Sequence, residues 1–290
     1  MKKSTYITLF LITATYTALQ AQTPYLNLYT GYAFGINKTS MLENYSESYN
    51  YDTEKGNGTS DFLSYSLGEG LNLGGALGYM VNENLGFEVG VNYTKSKSFE
   101  GSYKAEETSP DYDYNYLYED KSYVQSTMTR ITPAVIYQVN NNKASPYAKF
   151  GLAIGMGSIT FTETESEEEN DGTDNYKSSG SYVAKASGGI SIGFNSTLGV
   201  ALPVSKNISV FGEVSITNLS FAPNEREVTE AKWDGEDYLS DLSVNDKNTE
   251  YVDEYTTGTY NEDVPRTELK QPYAFSNAAV NIGVKFSLNK

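Results

Sequence analysis

The sequence predicts an all-β fold, an eight-stranded antiparallel up-and-down transmembrane β-barrel with three short turns at one end and four long loops at the other. Three observations carry this. Eight stretches place apolar residues at every second position for about ten residues, which is the period of a strand and the length of a tilted membrane crossing. The connections between them alternate strictly between short and long. The alternate positions of the same stretches are Gly, Ser, Asn and Ala with isolated charges, a composition that suits a narrow interior better than a wetted outer surface.

The stretches fall near residues 25–36, 64–80, 85–94, 124–139, 146–162, 182–202, 208–218 and 273–288. In the second, Leu71, Leu73, Leu77 and Tyr79 alternate with Gly70, Asn72, Gly74 and Gly78. In the third, Leu85, Phe87, Val89, Val91 and Tyr93 alternate with Gly86, Glu88, Gly90 and Asn92. In the last, Val280, Ile282, Val284 and Phe286 alternate with Asn281, Gly283 and Lys285. Val81–Asn84, Asn140–Ser145 and Pro203–Asn207 are rich in turn formers and read as hairpin turns. The remaining connections, 37–63, 95–123, 163–181 and 219–272, are expected to be loops. Loops of that length count against an ordinary compact domain and are usual in membrane barrels.

Ahead of the first strand, Met1-Lys2-Lys3, an apolar stretch from Tyr6 to Ala18 and Leu19-Gln20-Ala21 have the three parts of an export signal. Residues 1–21 are therefore assigned as a signal peptide and 22–290 as the barrel domain. The apolar stretch is too short to span a bilayer as a helix.

Composition narrows the chemistry. The chain of 290 residues has no His and no Cys, so every His-based acid/base or nucleophilic mechanism is excluded, as are disulfides and thiolate zinc sites. No cofactor, no metal and no catalytic residue is assigned, and the chain is read as a non-enzyme. A formal net charge of −16 argues against nucleic acid as a partner. The charge is unevenly placed, since the four long connections hold 33 of the 37 acids.

In a soluble barrel the apolar parity would face inward; in a membrane barrel it faces lipid. With the second facing, the charges of the other parity point into the lumen. Glu88, Arg130, Lys149, Lys185, Glu213 and Lys285 are then candidates for interior ion pairs, because a buried unpaired charge is costly. Glu69 breaks the pattern, sharing parity with Leu71, and is expected near the loop end or at a bulge.

With these residues in view, the chain resembles the small outer-membrane β-barrels of Gram-negative bacteria, the OmpA/OmpX-type and "porin family" barrel domains. The resemblance rests on the strand Leu73-Gly-Gly-Ala-Leu-Gly-Tyr79, the short Asn-rich turn, the strand Leu85-Gly-Phe-Glu-Val-Gly-Val-Asn-Tyr93 and the closing strand Ala279-Val-Asn-Ile-Gly-Val-Lys-Phe286. In such families the last strand usually ends in an aromatic; here four residues follow Phe286. The resemblance implies an outer-membrane location with lipid as partner, both termini and the short turns in the periplasm, the long loops outside the cell, a monomer, and insertion by the barrel-assembly machinery. No peptidoglycan-binding domain is expected after strand eight.

The loops offer two candidate surfaces. Asp111 and Asp113, and Glu163, Glu165, Glu167, Glu168, Glu169 and Asp171, form a weak candidate surface for a cation or a partner. The first group starts like a calcium loop but has Tyr116 and Ser122 where Gly and Glu are required. Tyr112, Tyr114, Tyr116 and Tyr118 would form one aromatic face if they lay on a strand extending the barrel wall. Tyr251–Tyr255 and Tyr260 suggest a hairpin within the fourth loop, which would raise the strand count to ten if it entered the membrane. The expected function is structural or surface-interacting, adhesion-like, through the acidic Tyr-rich loops; the alternative is a small porin-like channel for small solutes or cations.

Overall fold

A computed structural model describes residues 23–141, 143–254 and 260–288. The signal-peptide assignment and residues 255–259 of the suggested hairpin lie outside the described residues. The fold is all-β, but with 18 strands among the described residues against the eight expected. In chain order they are β1 (Thr23–Gly35), β2 (Thr39–Asn50), β3 (Lys55–Tyr65), β4 (Gly70–Met80), β5 (Leu85–Ser96), β6 (Phe99–Ser109), β7 (Tyr114–Gln138), β8 (Ser145–Asn170) and β9 (Asn175–Ser187). There follow β10 (Ser191–Pro203), β11 (Ile208–Asn218), β12 (Ser220–Phe221), β13 (Glu225–Trp233), β14 (Glu236–Asp237), β15 (Asn248–Val252), β16 (Arg266–Leu269), β17 (Tyr273–Ala274) and β18 (Asn277–Ser287).

Antiparallel pairings run β1–β4–β5–β7–β8–β10–β11–β18 and return from β18 to β1. This circuit leaves no free edge, and each of its strands contains one of the eight alternating stretches. The expected turns close it at one end, where Val81 and Asn82 both donate to the Leu85 carbonyl, and Val204 and Ser205 to that of Ile208.

The four segments expected to be loops form instead an upper sheet, in the order β16-β15-β13-β9-β8-β7-β6-β2-β3. Strands β7 and β8 belong to both regions. Residues Thr127–Tyr137 of β7 pair with β5, and Tyr114–Val124 with β6. The pairings of β2 with β6 and of β15 with β16 are parallel; Tyr251 thus lies on β15 in the upper sheet, which adds nothing to the circuit.

One expected strand, 182–202, is two. Gly188 and Gly189 adopt φ of +80° and +85°, a conformation that side-chain-bearing residues rarely take, and there the chain turns out of β9 into β10. Strand β9 pairs with the upper half of β8 and with β13; β10 takes over the lower half of β8. This break corrects the assignment of Lys185. It lies on β9 in the upper sheet, exposed on the side away from the lumen, and is not an interior residue.

The two faces of the circuit differ sharply. Leu77, Leu198 and Ile282 are 63%, 69% and 66% exposed, whereas Thr217 and Asn281 of the other parity are 1% and 2% exposed. The interior glycines make room for aromatic rings. A Cβ on Gly78 would lie 2.0 Å from the Tyr25 ring and one on Gly199 2.4 Å from that of Tyr147, so each ring lies over its partner glycine on the neighbouring strand. Near the turn end, Tyr25, Met80, Ile136, Tyr147, Ala201 and Phe211 form an apolar layer across the lumen. At the other end Leu67, Phe99, Val124, Met128, Ile159, Leu219, Phe221 and Phe275 form a second. The short pair β12–β17 belongs to this lid, which is tied by Leu67 N–H to the Ala274 carbonyl and Phe275 N–H to that of Leu219.

Candidate functional site

Between the two apolar layers the lumen is polar. Lys149 Nζ lies 2.8 Å from Glu88 Oε1 and 3.2 Å from Glu213 Oε2, with all three side chains buried. The remaining carboxylate capacity is filled by donors from neighbouring strands. Tyr25 and the Asn27 amide each donate to Glu88 over 2.9 Å. Tyr147 donates to Glu213 over 2.8 Å and Asn281 over 3.3 Å.

The other interior cations find different partners. Arg130 is buried without a carboxylate; it donates to Asn92, to Thr94 and, over 2.9 Å, to Thr217. Asn92 in turn donates to Asn72, and Asn72 to Asn281 over 2.7 Å, which links the arginine to the network around Glu213. Lys285 donates to Gln138 over 2.9 Å and sits 4.0 Å from the centre of the Tyr25 ring. The expectation of ion pairs among all six charged candidates is thus corrected for Arg130, Lys185 and Lys285. Neutral amides and hydroxyls of the inward parity replace carboxylates, and they were legible only as the polar half of the alternation. The space left inside this network is about 30 Å³, roughly that of one water molecule. Glu69 lies just before β4, outside the strand, where its carboxylate reaches Lys97 at 2.6 Å.

Above the lid the inward parity of β7 and β8 continues without a register shift and changes character. Tyr116, Tyr118 and Asp120 of β7 stand opposite Glu169, Glu167 and Glu165 of β8, and Tyr116 and Asp120 stand beside Glu107 and Tyr103 of β6. An aromatic row runs across the sheet: Tyr45 stacks on Tyr103 at 5.5 Å, and Tyr103 meets Tyr118 edge-on at 5.8 Å. Tyrosine hydroxyls are the donors to the acids here. Tyr45 and Tyr103 both donate to Glu47, Tyr51 donates to Glu107 and Tyr118 to Glu165. The hydrogen bond to Glu47 pushes the Tyr103 hydroxyl up to about 12, and that to Glu107 does the same for Tyr51.

On the opposite face of the upper sheet the acids have lysines: Lys104–Glu106, Lys121–Glu119, Lys177–Glu168 and Lys232–Glu230. Strand alternation therefore divides the acidic run, sending Glu168 outward and Glu163, Glu165, Glu167 and Glu169 inward. The inward acids stand against like charge. Burial, then Glu165, raises the Asp120 carboxyl above its ordinary range; burial, then Asp120, raises that of Glu163, with Arg226 opposing.

Asp171 lies at the β8–β9 hairpin tip, where the Thr173 hydroxyl and the backbone N–H groups of Thr173 and Asp174 hold its carboxyl down to about 2. Asp111 and Asp113 belong to a single 3-10 turn and its cap. Among the described residues no group of three acids is placed to hold a metal ion, and an extended strand spreads its acids along and across the sheet.

Two solved structures are similar to the chain at low TM-scores. Acinetobacter baumannii CarO2 has a TM-score of 0.30 at 14% identity, covering 91% of this chain and 99% of its own. The outer membrane protease OmpT of Escherichia coli has a TM-score of 0.28 at 8% identity, covering 94% and 100%. No curated protein matches the chain. The family model of the outer membrane protein beta-barrel domain matches residues 7–234, most of the chain and both regions of the fold. The protein belongs to the outer membrane protein beta-barrel domain family.

Proposed function

We propose that the closed circuit is an eight-stranded barrel spanning the outer membrane, plugged along its axis, and that it presents the upper sheet outside the cell as an interaction surface. In this reading the short turns and both termini face the periplasm, the outward Leu, Val, Ile and Phe side chains face lipid, and the chain has no catalytic role. The observation that carries the proposal is the filled stretch of lumen between the open mouth at the turn end and the lid. Two apolar layers and the Lys149 and Arg130 networks leave room for about one water molecule. A porin-like path would need those layers opened, and eight strands enclose little more than their own side chains.

Planar-bilayer recording tests this directly. The purified protein is expected to give no stable conductance above the bare bilayer; a steady ohmic channel would overturn the plugged barrel and favour the channel alternative. Protease added to whole cells is expected to cut within the upper sheet and spare the turns.

A further inference from the structure

Strands β2, β3 and β6 enclose a cleft of about 330 Å³ whose lining includes Tyr45, Glu47, Tyr49, Gly58 and Glu107 of the inward parity and Glu106 of the other. Its shape follows from the pairing. Gly56 stands opposite Tyr49 and Gly58 opposite Glu47, so β3 brings no side chain over them. Tyr49 and Tyr103 remain 39% and 36% exposed. Glu47 is held from two sides, one oxygen accepting from Tyr45 at 3.0 Å and the other from Tyr103 at 2.7 Å. Glu107 is held by Tyr51 at 2.6 Å. These are neutral donors, so they bring no positive charge to either carboxylate. The nearest lysine of β6, Lys104, is turned to the other face and pairs with Glu106.

Tyrosine rings offer their negative faces to a cation, and fixed carboxylates beside them add to the attraction. A neutral sugar could stack on the rings but would leave the charge uncompensated, and a polyanion would be repelled. From the cleft the same face continues over Tyr118, Glu165 and Glu167, at the spacing of adjacent strands. An extended basic chain lying across the strands would meet successive acids there.

We propose that this cleft docks the arginine or lysine side chains of a basic polypeptide segment outside the cell. The proposal rests on the surface-interaction reading above and names its partner class. The test uses the full chain in lipid nanodiscs and a fluorescein-labelled oligoarginine peptide, read by anisotropy. Two double variants remove the same charge from opposite faces: Glu47→Gln with Glu107→Gln in the cleft, and Glu119→Gln with Glu168→Gln on the lysine-bearing face.

The cleft pair is expected to weaken binding about tenfold and the outer pair less than about twofold. Tyr49→Leu, which keeps bulk and removes most of the cation–π attraction, is expected to weaken it about threefold. Unchanged strand signal by circular dichroism checks that each variant is folded. Equal losses from the two pairs would reduce the effect to net charge and overturn the proposal, as would no binding of the peptide. Binding of a neutral oligosaccharide in place of the peptide would also overturn it while leaving the surface-interaction reading intact; a stable conductance would instead remove that reading itself.

Discussion

Strands β7 and β8 carry one inward parity through two regions, and the regions treat charge in opposite ways. Within the circuit, Lys149 stands between Glu88 and Glu213, and every carboxylate oxygen of the pair has a donor. Above the lid, burial and the neighbouring acids raise the proton affinity of Asp120 and Glu163, and tyrosines replace lysines as donors. The difference shows what confinement does. A charge enclosed away from bulk water must be matched locally, because desolvation is offset only by a partner. A charge on an open face is partly hydrated and can stay unmatched.

The sharpest way to break this comparison is to remove the matching cation. Lys149→Met leaves Glu88 and Glu213 buried together and is expected to cost about 3–5 kcal/mol. It is measured by the urea midpoint at which the folded band is lost on a cold gel; a shift equivalent to less than about 1 kcal/mol would show the lumen to be wetter than its geometry implies. Next in size is the outer face. Leu77→Arg on the proposed lipid side is expected to cost roughly 2–4 kcal/mol, while Leu117→Arg on the outward side of the upper sheet should cost under about 1 kcal/mol. Equal costs would remove the distinction between a lipid-facing and a water-facing wall.

The upper sheet gives a smaller effect of opposite sign. Because Asp120 and Glu163 are held above the ordinary carboxylate range, the folded sheet binds protons more tightly than the unfolded chain. The stability they contribute is fully present below the ordinary carboxylate range and is lost as pH rises through the raised values. Asp120→Asn is therefore expected to stabilise the upper sheet at neutral pH by roughly 0.5–1 kcal/mol. Acidification should increase the protease resistance of the natural sheet and do less for the variant. Smallest is Glu168→Gln, which breaks an exposed pair with Lys177 and should change the same resistance by under about 0.5 kcal/mol.

The circuit was legible because its two faces meet different solvents, so Leu77 against Gly78 or Val89 against Glu88 gives a clean period of two. The lumen partners were legible by parity but not by identity, since nothing in the sequence tells Arg130 to choose Asn92 and Thr217 over a carboxylate. The upper strands were read as loops because neither face is buried in an apolar core. In β2 the alternation is Tyr45, Glu47 and Tyr49 against Ser46, Ser48 and Asn50, a polar period that hydrophobicity does not register. The Tyr112–Tyr118 alternation was the one visible trace, and three of its four tyrosines do lie on one face of β7. The Gly188–Gly189 break was hidden because glycine is frequent throughout the wall.

The parallel seam between β2 and β6 bears on the order of assembly. In a meander each strand finds its neighbour as soon as it is made, but β2 must wait for Ser102–Thr108, beyond two wall strands that come between. Until then the β2–β3 pair has one edge of β2 open for the seam. Its serines, asparagines and glutamates keep that waiting ribbon hydrated and discourage it from pairing with the apolar strands being laid into the wall. The polarity that hid these strands from the hydrophobic pattern thus also keeps them out of the wrong sheet.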